Sequence, residues 1–347
     1  PLPDNPLLQP GPGYWCVTRH EDIATVSRNA EIFSSANGIT ITDLPPEFLE
    51  FFSSMIAMDD PRHARLRRIV SKGFTPKMLS ALEGSVQTVA GNIVDAISER
   101  GECDFVTDVA AALPLKIVCD LMGVPDSAYE MVFKNTNIIL GVGDPEFAPE
   151  GVDFLTALLN AGAELAELMN EVAEAKRGGD GTDLTSVLVN AELDGDHLDQ
   201  ADLASFFVLL VVAGNETTRN AISWGLKYLT DNPEQKAMWA SDFETLAPAA
   251  VEEIVRLASP VTYMRRTVTQ DTVLGEQELS EGDKVAMFYL AANRDPAVFA
   301  DPYSFNIQRT SNSQCGFGGP GPHFCLGAHL ARREITVMFR ELFRRLP

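Results

Sequence analysis

Apolar residues recur at helical spacing through most of the middle of the chain and alternate at strand spacing in two short places. The helical pattern predicts helices over 61–71, 75–99, 109–122, 151–176, 200–230, 244–258 and 325–345. In the last of these, apolar side chains fall at 326, 330, 335, 338 and 339, one face of a 3.6-residue period. Strand-like alternation is confined to "YMRRTVTQDTVL" and "DKVAMFYLA", with the turn-rich "GEQELSEG" between them. Two polar stretches, "RGGDGTD" at 177–183 and "ELDGDH" at 192–197, read as loops. No repeat, low-complexity block or long linker interrupts the pattern. The chain therefore reads as a single domain over 1–347, mainly α with small β-sheets.

Charge narrows the function classes. With 49 acids against 27 Lys and Arg the net charge is −22, the opposite of a nucleic-acid footprint. The scarce cations cluster. Six lie in "PRHARLRRIVSKGFTPK" (Arg62, Arg65, Arg67, Arg68, Lys72, Lys77), a stretch with no acid, and five in the last helix (Arg332, Arg333, Arg340, Arg344, Arg345). Taken singly, each cluster is a solvated helix face. Five scattered cysteines suggest no disulfide framework and point to a reducing, cytoplasmic setting. The longest apolar run, "FFVLLVVAG", is well short of a membrane span, so stable membrane insertion is not expected.

The segment "CGFGGPGPHFCLGAHLARREI", Cys315 to Ile335, carries two signals. Gly316, Gly318 and Gly321 spell the dinucleotide-binding G-x-G-x-x-G. That reading fails on context. The preceding "RTSNSQC" is polar, Pro320 and Pro322 interrupt the turn, and only 26 residues follow Gly321, too few for a βαβ unit. The second signal is Cys325, placed where an apolar helical pattern begins. A thiolate there faces the free N–H groups and positive end of the helix, which stabilises its charge. The glycines and prolines make a low-bulk loop able to lie against a planar ligand. A buried structural cysteine is the bland alternative. A zinc site from Cys315, His323 and Cys325 lacks a fourth ligand and the usual spacing.

Other constellations are modest singly. His63 and Arg67 lie four apart on one helical face. Ala213 and Gly214 leave space at the backbone where a buried run turns polar at Glu216 and Thr217; a helix emerging into solvent would look the same. Glu253 and Arg256 form an i,i+3 pair, most often a surface salt bridge.

Their order along the chain resembles one family. "AGNETT", the E-x-x-R of Glu253 and Arg256, "ANRDPAVFADPYSFNIQR" and "HFCLG" are similar to the motifs of the cytochrome P-450 superfamily of haem-thiolate monooxygenases, soluble bacterial type. The resemblance implies a helix-rich fold with haem b between a long central helix and the cysteine loop. It makes Cys325 the axial iron ligand, with Phe317 in the haem loop, and His63, Arg67, Arg266 and His323 the partners of the haem propionates. Thr217 and Glu216 match the alcohol–acid pair that relays protons to the oxygen-binding face. Ala213 and Gly214 match the residues that leave room above the ring. Glu253 and Arg256, with Arg294 or Arg309 as partner, match a buried structural network. The same resemblance turns the basic segments into a docking surface for a ferredoxin, itself reduced by an NAD(P)H-dependent ferredoxin reductase.

The branch most resembled is the mycobacterial one that oxidises methyl-branched lipids and sterol side chains, through "FSSANGITI", "SMIAMDDPRHARLR", "SFFVLLVVAGNETTRNAISWG" and "ASPVTYMRRT". That implies hydroxylation of an apolar lipid-like substrate at a terminal methyl, with Ile39, Ile41, Phe207, Leu210, Val211, Val261 and Met264 as pocket-lining candidates. Family members usually carry strands and a helix before the position of Pro1 and a hairpin beyond that of Pro347, so this chain is expected to be trimmed or to lack those parts. The alternatives are a peroxide-driven peroxygenase of the same fold and a haem-binding module inactive through truncation.

Overall fold

The computed structural model describes residues 13–43, 54–141, 147, 151–191 and 198–346; the 192–197 loop lies outside them. Its architecture is helical with two small sheets. The mainly helical architecture with small sheets expected from the periodicity is the one observed. Among the described residues two compact units emerge, one from Pro1–Arg67 and Trp224–Ala328, the other from Arg68–Ser223 and His329–Pro347.

Among the described residues, the strands belong to the first unit. Strands β1 (Trp15–Val17), β2 (Phe33–Ser34), β3 (Met264–Val268) and β6 (Lys284–Met287) form one sheet in the order β1-β6-β3-β2. β1 runs parallel to β6, and β3 antiparallel to β6, with Met264 opposite Met287 and Arg266 opposite Val285. β4 (Thr272–Leu274) and β5 (Gln277–Leu279) make a separate hairpin, so the expected turn at 275–282 contains a strand. Val17, Phe33, Val268, Val285 and Met287 from the large sheet pack with Ile23 and Val26 of the His20–Arg28 helix. Val261 and Met264 lean on this same core.

The second unit is a set of packed helices. The predicted 75–99 helix is two: Thr75 caps Pro76–Ala81 through its hydroxyl, which accepts from Met78 N at 3.3 Å, and Glu83–Ser98 follows. Ala112–Met122 ends on Gly123 in the left-handed conformation, φ 66°, where the absence of a Cβ removes the penalty. Gln200–Asp231, 32 residues, is the longest helix and continues into the first unit. By length and composition alone it is long and apolar enough to cross a membrane. Ala204, Phe207, Val211, Ile222 and Leu229 are nonetheless buried along it, as in a core helix.

A fully buried ion pair organises the first unit. In helix Phe243–Ala258, Arg256 forks onto Glu253 with Nε to Oε2 and Nη2 to Oε1, each 2.8 Å, and both side chains are 0% exposed. Arg309 Nε reaches Glu253 Oε2 at 3.1 Å, whereas Arg294 bonds the carbonyls of Leu257 and Leu290. The i,i+3 pair is therefore not a surface bridge, and of the two expected partners Arg309 is the one that joins. Arg256 Nη1 also donates to Asn293 O and Pro302 O at 2.7 Å, and its plane lies 5.1 Å from the Phe299 ring centroid.

Removing one partner would leave the other charge buried and uncompensated. Glu253→Ala is expected to lower unfolding free energy by about 3–5 kcal/mol. Urea denaturation checks this, and a loss of under about 1 kcal/mol, the surface-bridge range, would contradict it.

Candidate active site

In the first unit the glycine-rich loop is folded on its own backbone. Gly318 N donates to Cys315 O at 2.9 Å, Phe324 N to Gly321 O at 3.1 Å, and Cys325 N to Phe317 O at 2.9 Å. Asn293 anchors the entrance: its Oδ1 accepts from Cys315 N at 2.6 Å while its backbone carbonyl holds Arg256. The loop presses against helix His20–Arg28. A Cβ on Gly321 would collide with the Ser27 carbonyl, and one on Gly319 with the Ser27 side chain. Gly318, at φ 88°, sits where only glycine is comfortable. No strand leads into the loop and the following helix begins at Ala328, so the dinucleotide reading is excluded.

The two loop cysteines differ. Cys315 is buried, and burial pushes its thiol up to about 11. Cys325 is exposed. Among the described residues no cluster of three His, Cys, Asp or Glu side chains suits a metal ion, which removes the zinc alternative.

Four cationic or imidazole side chains gather beside this loop. His63, 2% exposed, stacks on His323 with ring centroids 4.2 Å apart. Asp60 fixes the His63 ring by lying 3.3 Å from Nδ1, and also caps the helix by accepting from Ala64 N at 2.9 Å. Nε2 of His63 is buried with no hydrogen-bond partner. Arg67 donates to the Phe324 carbonyl, one residue before Cys325. Arg266, 5% exposed, lies on the same face of β3 as Met264 and Val268, the face that meets the core. Its hydrogen bond is to a backbone carbonyl, Arg265 O at 2.7 Å, and no carboxylate among the described residues pairs with it.

Burial pulls the Arg67 and Arg266 guanidiniums below their ordinary value, and Cys325 acts in the opposite direction on Arg67. Burial, then the neighbouring Arg266, His63 and Arg67, drives His323 down to about 3, so it stands as a neutral donor. Ser35 Oγ lies 3.2 Å from His323 Nε2. Such a gathering of cationic and imidazole groups, in which Asp60 engages only His63 by hydrogen bond, suits an anionic ligand.

In the second unit, the long helix presents Thr217 and Ala213 outward and Thr218 and Asn215 inward. Thr217 Oγ1 donates back to Ala213 O at 2.7 Å. Glu216 pairs with Arg219 and accepts from Asn220 Nδ2 at 2.9 Å. The expected acid and alcohol are thus one residue apart and turned to different partners, as successive helical residues must be. Gly214 faces Val118, whose Cγ2 would lie 2.9 Å from an added Cβ. Its small size serves helix packing within the protein. Phe207 and Val211 are 0% exposed, part of the core, whereas Leu210, Ile39 and Ile41 are partly exposed. A groove of about 360 Å³ over Val89, Ile93 and Ile97 includes none of these residues.

A family model for cytochrome P450 matches residues 157–346, more than half of the chain. The chain belongs to the cytochrome P450 family. It is 49% identical to the methyl-branched lipid omega-hydroxylase of Mycobacterium bovis over 350 aligned positions, covering 100% of this chain and 81% of the relative. Against the steroid C26-monooxygenase of Mycolicibacterium smegmatis it is 36% identical, covering 96% and 78%. The Mycobacterium marinum cytochrome P450 CYP268A2 in complex with pseudoionone superposes with a TM-score of 0.94 at 44% identity, covering 100% of this chain and 84% of that one. The protein is accordingly a P450 monooxygenase, and family membership implies a haem-thiolate centre.

Asp60, Ser35 and Asn293 were not anticipated. "DDP" before a helix is a legible N-cap signal; the contacts of Ser35 and Asn293, 288 and 22 residues away, carry none. The loop's contact with Ser27 makes a direct test. Gly321→Ala in this P450 is expected to cost about 1–3 kcal/mol by overpacking. Thermal unfolding measures it, and an unchanged transition would mean the loop does not lie against Ser27.

Proposed function

We propose that this P450 binds haem b through Cys325 and hydroxylates an apolar lipid-like substrate, a methyl-branched fatty acid, isoprenoid or sterol side chain, at a terminal methyl. The observation that carries the haem assignment is an exposed Cys325 thiol with Arg67 acting on it, in a loop whose His323 stacks on His63, whose Nε2 is buried without a hydrogen-bond partner. His63, Arg67, Arg266 and His323 would hold the two propionates, which supply the negative charge these residues lack. When bound, the haem supplies oxygen activation, favoured by electron donation from the thiolate.

The chain's own residues do the rest. The Cys325 N–H, committed to Phe317 O, fixes the loop backbone that carries the sulfur. Arg67, tied to Phe324 O, keeps its charge next to that sulfur. Thr217 offers a hydroxyl on the outward face of the long helix. Glu216 is the proton source behind it and must leave Arg219 and Asn220 to serve. Leu210, Val261, Met264, Ile39 and Ile41 are the proposed apolar contacts for the substrate; the fully buried Phe207 and Val211 are core of the second unit. The lipid assignment is supported by the 49% identity to a methyl-branched lipid omega-hydroxylase and by the pseudoionone-bound neighbour.

The experiment is spectral. The carbonyl adduct of the reduced protein is expected to show the red-shifted Soret band of thiolate ligation, lost in Cys325→Ala; its absence from the wild type would overturn the assignment. Titrating the ferric protein with fatty acids, isoprenoids and sterols then reads which class displaces the iron-bound water.

Electrons come from an acidic ferredoxin reduced by an NAD(P)H-dependent reductase, in the cytoplasm. Not all the basic residues serve docking: Arg333 is spent on Leu79 O at 2.9 Å and Glu83 at 3.3 Å, and Arg345 on Glu341 and Asp95. Arg68 and Lys72 are exposed and belong to the acid-free basic segment. Reversing both to Glu is expected to slow reduction by ferredoxin at low salt, with the difference shrinking as salt rises. Equal rates at low salt, or turnover by peroxide alone matching the ferredoxin-driven rate, would sink this part of the proposal.

A further inference from the structure

Two neighbouring arginines of β3 serve different surroundings. Successive strand residues point to opposite faces of a sheet, so Arg265 faces away from Arg266. Arg265 is 1% exposed. A guanidinium has five N–H donors, and a buried one must find acceptors for them. Those of Arg265 go to a single stretch of chain: Nε donates to Gly38 O at 3.2 Å, Nη2 to Asn37 O, and Nη1 to Asp43 Oδ1 at 2.5 Å. The backbone joins in, with Arg265 N donating to Ile39 O at 2.8 Å. The other Asp43 oxygen, Oδ2, accepts from Lys284 Nζ of β6.

The stretch so held, 37–43, forms neither helix nor strand. Without a ladder of its own, its shape depends on bonds from elsewhere. It carries Ile39 and Ile41, both partly exposed, and Ile41 N donates to the Tyr263 hydroxyl at 3.4 Å. All of these residues lie in the first unit, as do Val261 and Met264. Burial pushes the Asp43 carboxyl up, but its bonds to Lys284 and Arg265 outweigh this and hold it below the usual carboxylate range, so it is charged at neutral pH. Its side chain is 60% exposed, against 2% for Arg265 and 13% for Lys284. Salt therefore reaches one end of the ion pairs.

We propose that Arg265 and Lys284 clamp Asp43, and that this clamp sets the position of Ile39 and Ile41. Arg265 is then a positioning residue for substrate binding, without touching substrate itself; this consequence rests on the apolar contacts proposed above. The clamp is electrostatic although the side chains it places are apolar. Affinity for an uncharged substrate thereby falls as salt rises, because screening weakens ion pairs and does not weaken apolar burial.

The test uses the haem-loaded protein with Asp43→Asn, which keeps an acceptor and loses the charge, and Lys284→Gln. Hydrogen–deuterium exchange without ligand reads the clamp: the amides of 37–43 are expected to exchange faster in both variants. Spectral titration with pseudoionone, an uncharged isoprenoid ketone, reads the consequence. Its Kd is expected to rise about fivefold in Asp43→Asn, the size of a partly exposed ion pair. Added sodium chloride is expected to weaken binding to the wild type and not to Asp43→Asn. The Soret band of the carbonyl adduct is expected to be the same in all three proteins; its loss in Asp43→Asn would mean that the clamp acts on the haem seat, and would overturn the proposal. Unchanged exchange over 37–43 in both variants also overturns it, as does faster exchange with Kd and its salt dependence left at wild type. A wild type that binds no isoprenoid, fatty acid or sterol contradicts the substrate reading and not the clamp, which the exchange data judge alone.

Discussion

The arrangement of the first unit depends on one carboxylate, Glu253, held out of water by two guanidiniums. A buried ion pair stabilises only when its geometry is good and its remaining hydrogen-bond capacity is filled. Both conditions hold. Arg256 forks onto Glu253, and Arg309, Asn306 N and Asn312 Nδ2 complete the acceptor's shell. The donors left on Arg256 go to Asn293 O, Pro302 O and Ser304 O. The pair thus ties a helix to irregular backbone that has no ladder of its own. Through Asn293, which also binds Cys315 N and the Ser259 hydroxyl, the tie reaches the base of the cysteine loop. The position of an exposed thiol is therefore set by a charge pair that no solvent touches.

A second constraint works in the opposite sense. The protein carries 22 more acids than cations, yet among the described residues the buried Arg266 hydrogen-bonds a backbone carbonyl and no carboxylate, with Asp59 acting on it electrostatically. His63 keeps an imidazole nitrogen buried without a partner, and His323 is held neutral by burial and by the cations around it. Each is unfavourable alone. An anion among them would relieve all of them together, which is why the cluster reads as a seat for carboxylates and not as a core defect.

The long helix separates two kinds of work by face. Thr217 and Ala213 look outward, while Asn215 and Thr218 look inward. Glu216, between them, is held by Arg219 and Asn220, so the acid starts paired and not poised against the threonine. On the role proposed for Glu216, proton delivery at this helix would begin with the breaking of that ion pair, at a cost set by how far Arg219, itself partly desolvated, can be left without its carboxylate.

Helical periodicity found most of the longer helices, because an amphipathic stripe several turns long is visible without tertiary context; it missed Tyr129–Leu140, 12 residues, whose buried face includes the polar Asn135, Thr136 and Asn137. His20–Arg28, Pro233–Ser241, β1 and β2 escaped it; they span 9, 9, 3 and 2 residues, too short for a period to show. The Cys325 loop was legible because glycines, prolines and a lone thiol before a helix impose local geometry by themselves. The sequence alone determined which residue types the site has and in what order. Only the tertiary structure decided that Arg309 and not Arg294 completes the buried pair, that Gly214 makes room for Val118, that Phe207 and Val211 are core, and that Glu216 turns to Arg219. Each of those choices is a contest between side chains of similar chemistry, and distance in the folded chain is what settles it.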